Sequence, residues 1–441
     1  MENLEKSAKA LTKIQLVANC HQLDFSMPKS ECAHVGRCGG CTYYRESYEK
    51  ELAEKLQTLQ STLGAYGHLV QEVHPAPHLH GYRNKMELAF GDTGKRNDEA
   101  GNPIPPEMAL GMRKKRSMYE VATTENCILM CDDFKKIAAY TLQFFRGSGE
   151  AVFHRKRHTG ALRHLLLRRG EFTGELLVLL STTSTLMTDM AAFTKGLRAL
   201  PLDGTLVGIL HGINDGVADA IKNENIHTLW GRNFYYEKLY ANTPGELIFA
   251  VSAFSFFQTN SAGAQKLYDI VRDKVGTGAL AYDLYCGTGT IAQVIAPAFE
   301  RVVGIELIPE AIEAAKNNAQ SNGITHCEFH AHDITVLAAK NDALLAQPAN
   351  GSIADNANRA DGGMTLDAIV VDPPRDGLSP KALFKVAAMD AERIVYVACK
   401  PASLARDLPV LVAAGYHVVS ITGVDMFPRT PHVEAVALLQ K

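Results

Sequence analysis

The sequence predicts an α/β protein that ends in a Rossmann-like domain, and three observations predict it. From about Phe254 to the C-terminus, short apolar runs alternate with glycine- or proline-rich turns and helical stretches, the order of a parallel, doubly wound sheet. The segment Asp283-Leu-Tyr-Cys-Gly287-Thr-Gly289-Thr290 follows one such run and leads into Ile291-Ala292, so its glycines let the backbone turn tightly beneath a ligand at a helix N-terminus. Glu306 closes the next run, at the ~20-residue spacing at which an acidic side chain meets ribose hydroxyls.

The chain has 441 residues, 46% hydrophobic and 21% charged, which at roughly 150 residues per domain gives about three domains and excludes disorder or collagen. A core of that size needs no disulfide framework, and nine cysteines is an odd count, so reduced thiols are expected. No run reaches the roughly 18 apolar residues of a membrane helix, since residues 407–420, the richest stretch, are broken by Pro409, Gly415 and His417. The first residues carry Glu2, Glu5, Lys6 and Lys9 and no apolar signal core. A cytoplasmic location follows as an expectation. The net charge of -3 does not by itself point to nucleic acid.

Three parts succeed one another. Residues 1–75 open irregularly around Cys32, Cys38 and Cys41, and Leu52, Leu56, Leu59 and Leu63 then mark one face of a helix stopped by Gly64 and Gly67. Residues 76–253 alternate short apolar runs, such as Met86-Glu87-Leu88-Ala89-Phe90 and Leu176-Leu177-Val178-Leu179-Leu180, with turn residues, a mixed α+β pattern rich in strands. In residues 254–441 the runs 280–285, 301–307, 368–372 and 393–398 read as parallel strands, and 310–322 as a helix opened by Pro309 and closed by Gly323. Residues 347–364, rich in Ala, Asn, Asp and Gly, read as a flexible surface insertion without catalytic role.

Gly287-x-Gly289 lacks the third glycine of the nicotinamide fingerprint and the Lys-Ser/Thr of a P-loop, so an adenosine ligand without pyrophosphate fits better, which means S-adenosylmethionine. Asp372-Pro-Pro-Arg375 follows the run 367–371, where prolines end pairing and fix a loop at the ligand-binding edge of the sheet. Cys399 ends another run, and Pro401 starts a helix, which places the thiol near a helix N-terminus and beside Lys400; both are expected to favour thiolate. A thiolate added at C6 of uracil makes C5 an enolate carbon able to attack a methyl sulfonium, and a base must then remove the C5 proton. Glu434, ahead of the apolar run 435–439, is the candidate base.

Cys32-x5-Cys38-x2-Cys41 offers three thiolates, and Cys127 or Cys131 a fourth, which by spacing suits zinc or an iron–sulfur cluster. Residues 151–170 hold Arg155, Lys156, Arg157, Arg163, Arg168 and Arg169 and no acid before position 171, and Arg113 to Arg116 form a second basic run; with a uracil site these point to phosphate contacts. Tyr43, Tyr44 and Phe153 are candidates for stacking on bases or for the core.

These residues resemble the bacterial RNA uracil-C5 methyltransferases that form 5-methyluridine in 23S rRNA or tRNA. The resemblance runs from Cys32 to the C-terminus and rests on the cysteine motif, Tyr82-Arg-Asn-Lys-Met-Glu87, Phe256-Phe-Gln258-Thr-Asn260, Asp283 to Thr290, Asp372-Pro-Pro-Arg375, Val397-Ala-Cys399-Lys-Pro401 and Met426-Phe-Pro-Arg-Thr-Pro-His-Val-Glu434. It implies that Cys399 is the nucleophile and Glu434 the base. It implies further that Gln258, Tyr285, Thr290, Glu306, Asp333 and Asp372 contact the methyl donor, although Lys400 stands where the family usually has Asn, and Thr290 and Asp333 occupy positions where Asn also occurs. It implies a [4Fe-4S] cluster on Cys32, Cys38, Cys41 and Cys127, with Cys131 the rival fourth ligand. The segment ahead of Cys32 is short, so the small β-barrel that many relatives carry in front is not expected here. The expected partner is therefore RNA, 23S rRNA first and the tRNA T-loop uridine second, with no membrane or protein partner. The rivals are an amino-group methyltransferase built on Asp372-Pro-Pro, which would have no use for Cys399, and a non-catalytic RNA-binding or assembly factor.

Overall fold

The computed structural model describes residues 32, 34, 36–43, 46–98, 100–117, 119–218, 225–336 and 366–441. The insertion read at 347–364 and Tyr44 lie outside the described residues. In chain order the elements are α1 (Tyr48–Leu63), β1 (Val70–His74), β2 (Lys85–Asp92), β3 (Arg96–Asn97), β4 (Pro103–Ile104), β5 (Met108–Arg113), β6 (Val121–Thr123), α2 (Asp132–Arg146), β7 (Leu162–Arg169), β8 (Glu175–Thr182), α3 (Met190–Arg198), β9 (Thr205–Ile213), β10 (Ile226–Gly231), β11 (Phe234–Leu239) and β12 (Leu247–Ser252). There follow α4 (Ser261–Val275), β13 (Gly278–Leu284), α5 (Thr290–Ile295), β14 (Phe299–Glu306), α6 (Pro309–Ser321), β15 (Cys327–Ala331), β16 (Ala368–Val371), α7 (Pro380–Ala388), β17 (Arg393–Ala398), α8 (Pro401–Ala413), β18 (His417–Val424) and β19 (Glu434–Gln440).

The C-terminal sheet has eight strands in the order β1-β18-β19-β17-β16-β13-β14-β15. Its strands lie between two cores, as their continuous apolar runs require. Ala281, Val302, Val370, Val395 and Val436 meet α4 on one face. Leu280, Tyr282, Val303, Ile369, Ile394 and Tyr396 meet α1, α7 and α8 on the other. Strand β1 pairs in parallel with β18, so the N-terminal part supplies the last strand of this sheet, and Leu59 and Leu63 of the helix stripe pack under it. Ser47 caps α1 by accepting the Lys50 N–H at 3.3 Å, and Gly64 ends it at φ 55°.

A second sheet, ordered β10-β9-β8-β7-β2-β5-β6, forms the middle part. Leu165, Leu167, Val178 and Leu180 pack on Phe134, Phe145 and Phe193 of α2 and α3, while Leu166, Leu177 and Leu179 turn the other way into the core shared with the C-terminal sheet. That alternation explains why 176–180 is apolar at every position. It also corrects the basic stretch 151–170: β7 is covered on both faces, so Arg163 and Arg168 are buried. Arg163 donates to the carbonyls of Asn214, Gly216 and Ala218 and stacks 4.2 Å over Phe153. Arg168 donates to the carbonyls of Ala253 and Ser255. These guanidiniums tie β7 to its neighbours and are not surface charge.

Candidate active site at the carboxyl edge of the sheet

Parallel strands β13, β14, β15, β16 and β17 all end on one edge, at Leu284, Glu306, Ala331, Val371 and Ala398, and antiparallel β19 begins there with Glu434. Open α/β sheets bind ligands at that edge. The pair Ala398↔Ala435 is the last of the β17–β19 register, so Cys399 and Glu434 stand opposite each other one residue beyond it. Asp372 follows β16, the adjoining strand, and Arg375 on the same loop approaches His432, with Nη2 to Nδ1 at 3.3 Å.

The electrostatics differ from the expectation of an activated thiolate. Burial, then the negative charges of Glu434 and Asp372, pushes Cys399 up to about 11, with Arg375 opposing. The start of α8 does not outweigh them: Lys400 is exposed and pairs at 3.9 Å with Asp376 instead of with the thiol. Burial and Asp372 raise Glu434 to about 8, again against Arg375. Burial raises Asp372 to about 7. The three acids share one desolvated space, and a carboxyl brought near neutral pH is suited to proton transfer there.

At the glycine turn, Asp283 is buried and its Oδ2 accepts the Ala292 N–H of α5 at 2.8 Å, while its Oδ1 is buried without a hydrogen bond. Tyr285, Gly287 and Gly289 are left-handed, at φ 64°, 52° and 76°. A Cβ on Gly289 would lie 2.7 Å from Phe329, so that glycine lets α5 approach β15. A Cβ on Gly287 would meet nothing within 4 Å, so that position faces open space at the sheet edge. Glu306 accepts N–H bonds from Gly287 at 3.3 Å, Leu307 at 2.8 Å and Ile308 at 3.1 Å. Tyr285 is raised by burial and by Asp333 and Glu306, which places all three about one space. Gln258 and Thr290 are buried, Thr290 at the start of α5. The Gln258 carbonyl accepts Asn84 Nδ2 at 2.8 Å, which joins two of the sequence motifs.

Cys32, Cys38, Cys41 and Cys127 line one cavity of about 310 Å³. Burial and the neighbouring thiols of Cys127, Cys32 and Cys38 push Cys41 up to about 12. Cys131 is apart from them: it precedes α2, and the charges that act on it are Arg169 and Asp133. Among the described residues no three His, Cys, Asp or Glu side chains are placed to hold a single metal ion.

Comparison with known proteins decides the family. An uncharacterized RNA methyltransferase of Clostridium tetani is 38% identical over 94% of this chain and 84% of its own length. One of Caldanaerobacter subterraneus subsp. tengcongensis is 37% identical over 99% and 90%. Residues 224–441 match the family described as tRNA (Uracil-5-)-methyltransferase. The chain belongs to the RNA uracil-C5 methyltransferase family. It is an S-adenosylmethionine-dependent RNA methyltransferase acting on uracil C5. The methyltransferase is also similar to the crystal structure of Pyrococcus abyssi tRNA (uracil-54, C5)-methyltransferase bound to S-adenosyl-L-homocysteine, with a TM-score of 0.69 and 27% identity, over 91% of this chain and 86% of that one.

Within the two basic runs, the exposed basic side chains sit at two turns. Lys115 and Arg116 lie on one, and Lys156, Arg157 and His158 on the other. Stacking of Tyr119 on His154, 4.9 Å between centroids, brings the turns together, and the Arg37 carbonyl of the cysteine loop accepts the Lys115 N–H. The sequence reading missed Glu51, Lys55, Asp425 and Arg429, all buried. A signal existed: Glu51 and Lys55 are spaced i, i+4 within the Leu52, Leu56, Leu59 stripe. Among the described residues no helix is long and apolar enough to cross a membrane.

Proposed function

We propose that the methyltransferase forms 5-methyluridine in 23S rRNA through a covalent adduct of Cys399 with C6 of the uracil. The observation that carries this reading is the opposition of Cys399 and Glu434 across β17 and β19. S-Adenosylmethionine supplies the methyl group as an electrophilic sulfonium. The open side of Gly287, the unpartnered Asp283 Oδ1 and the acids Glu306 and Asp333 fit its adenosine and amino groups, and Gln258, Tyr285, Thr290 and Asp372 are assigned to the same contacts.

Cys399 loses its proton to solvent as sulfur bonds to C6, and the displaced π electrons pass to C5 and the O4 enolate. C5 takes the methyl group. Glu434 then removes the C5 proton, the C5=C6 bond re-forms, and the thiolate leaves. Arg375, the cation that acts on both Cys399 and Glu434, favours the ionised form of each.

We assign Cys32, Cys38, Cys41 and Cys127 to a [4Fe-4S] cluster. Four thiols lining one cavity are the observation that supports the assignment. When bound, it ties the cysteine loop to the segment before α2, and no catalytic step runs through it. The paired basic turns beside that loop are assigned to RNA phosphates in the cytoplasm. A tRNA substrate is the second reading, favoured by the names of the matching family and of the Pyrococcus abyssi enzyme.

Labelled S-adenosylmethionine with unmodified 23S rRNA and, separately, unmodified tRNA tests the reading by mass spectrometry of the nucleosides. Label in 5-methyluridine from rRNA is expected. The same nucleoside from tRNA alone overturns the target, and label on an amino group overturns the chemistry.

A further inference from the structure

Glu51 and Lys55 of α1, with Asp425 and Arg429 of the loop that ends in Glu434, form a buried network of balanced charge. Lys55 Nζ donates to Glu51 Oε1 and Asp425 Oδ1, each at 2.7 Å, and to the Phe427 carbonyl at 3.3 Å. Glu51 Oε1 accepts the Arg429 N–H at 2.7 Å, and its Oε2 the Arg429 guanidinium at 3.3 Å. The Tyr48 hydroxyl donates to Asp425 Oδ2 at 2.8 Å. From the opposite side Asn260 Nδ2 reaches the Met426 carbonyl at 2.9 Å, and the Tyr82 hydroxyl reaches that of Pro428 at 3.0 Å. The Arg429 carbonyl accepts the N–H groups of Thr42 and Tyr43, immediately after Cys41.

Such an arrangement is costly, the more so because Arg429 Nε and Nη2 are buried without a hydrogen bond among the described residues, and replacing it by apolar side chains would often be as stable. Arg429 adds a cost of its own, since its φ of 69° is left-handed for a residue with a side chain and persists only where the surroundings over-determine it. What the network determines is the course of the loop. That loop delivers Glu434 to the edge of β19 opposite Cys399.

We propose that Glu51 is a positioning residue of the methyltransferase: by anchoring Arg429 it fixes the 425–433 loop and, through it, the reach of Glu434 to the C5 proton. The inference rests on Glu434 being the base of the elimination step. Glu51 is fully buried and touches neither RNA nor methyl donor, so its loss slows elimination and leaves substrate binding and thiol addition in place.

Glu51→Gln keeps the side-chain shape and one acceptor while removing the charge. With unmodified RNA and S-adenosylmethionine it is expected to lower kcat about tenfold or more, to leave KM for both substrates within about twofold, and to accumulate a denaturant-stable protein–RNA adduct. Hydrogen exchange at the Arg429 amide is expected to quicken while β17 and β19 keep their protection. A folded Glu51→Gln with wild-type turnover, or one that loses activity without adduct, overturns the proposal. Glu434→Gln assayed alongside separates the claims: adduct in Glu434→Gln but not in Glu51→Gln refutes the role of Glu51 alone, and adduct in neither refutes the base and this inference with it. Should Glu51→Gln fail to fold, Asp425→Asn, which loosens Lys55 from the same loop, carries the same expected and contrary results.

Discussion

Cys399 and Glu434 face each other one residue past the Ala398↔Ala435 pair, Cys399 directly after the end of β17 and Glu434 at the start of β19, so the ends of two hydrogen-bonded strands place thiol and carboxyl. The Glu434 charge raises the thiol, and both groups sit in the field of Asp372. A nucleophile and a base set this rigidly need little reorganisation as the substrate enters.

The first consequence is a pH dependence. Glu434 at about 8 must be ionised to take a proton, so the rate of the elimination step, read from decay of the pre-formed adduct, is expected to rise with pH towards about 8 and to fall close to tenfold per unit below about 7. Stability runs oppositely. The folded-state value is raised, so the contribution to stability is full below the ordinary carboxyl range and is lost as pH rises through about 8. Glu434→Gln is therefore expected to be more stable than wild type at pH 9, by roughly 5 kcal/mol, and to lose that advantage at pH 4, as read from denaturant midpoints.

Arg375 lowers the Cys399 value by its charge alone. Arg375→Gln is expected to slow alkylation of Cys399 by iodoacetamide roughly threefold at pH 8 and to shift its pH profile upwards. An unchanged profile would contradict the electrostatic role.

The two glycines of the turn are expected to fail differently. Gly289→Ala forces a Cβ to 2.7 Å from Phe329 and is expected to cost about 1–3 kcal/mol in unfolding free energy. Gly287→Ala meets no neighbour but places a side chain on a left-handed backbone, at a cost of about 1 kcal/mol, and is expected to weaken S-adenosylmethionine binding, read by calorimetry, by more than that.

The cysteines give a fourth test. Anaerobically purified Cys38→Ser is expected to lose iron and its brown colour, while Cys131→Ser keeps both, because Cys131 lies outside the shared cavity. Wild-type protein with zinc and no iron would contradict the cluster.

Much of this was legible in the sequence because it was written in period and punctuation. The helix Pro309–Ser321 and the strand Arg393–Ala398 lie within a residue of their expected positions, since Pro309, Gly323 and Pro401 mark ends by backbone restriction. The gathering of Cys399, Asp372 and Glu434 was legible from motifs at strand ends. What was not legible depends on what packs against a residue. Lys400 follows Cys399 in sequence yet turns to Asp376, so adjacency misjudged the thiol. Arg163 and Arg168 read as surface charge because sequence does not show that β7 is covered on both faces. Glu51 and Lys55 find Asp425 and Arg429 only after the chain has folded back across most of its length.

The central claim is the covalent route, and trapping tests it most directly. Wild type, Cys399→Ala and Glu434→Gln are incubated with labelled unmodified RNA and S-adenosylmethionine, denatured, and resolved by electrophoresis and mass spectrometry. A methylated RNA adduct on Cys399 in Glu434→Gln, and none in Cys399→Ala, is the predicted result. Undiminished methylation by Cys399→Ala would contradict the account.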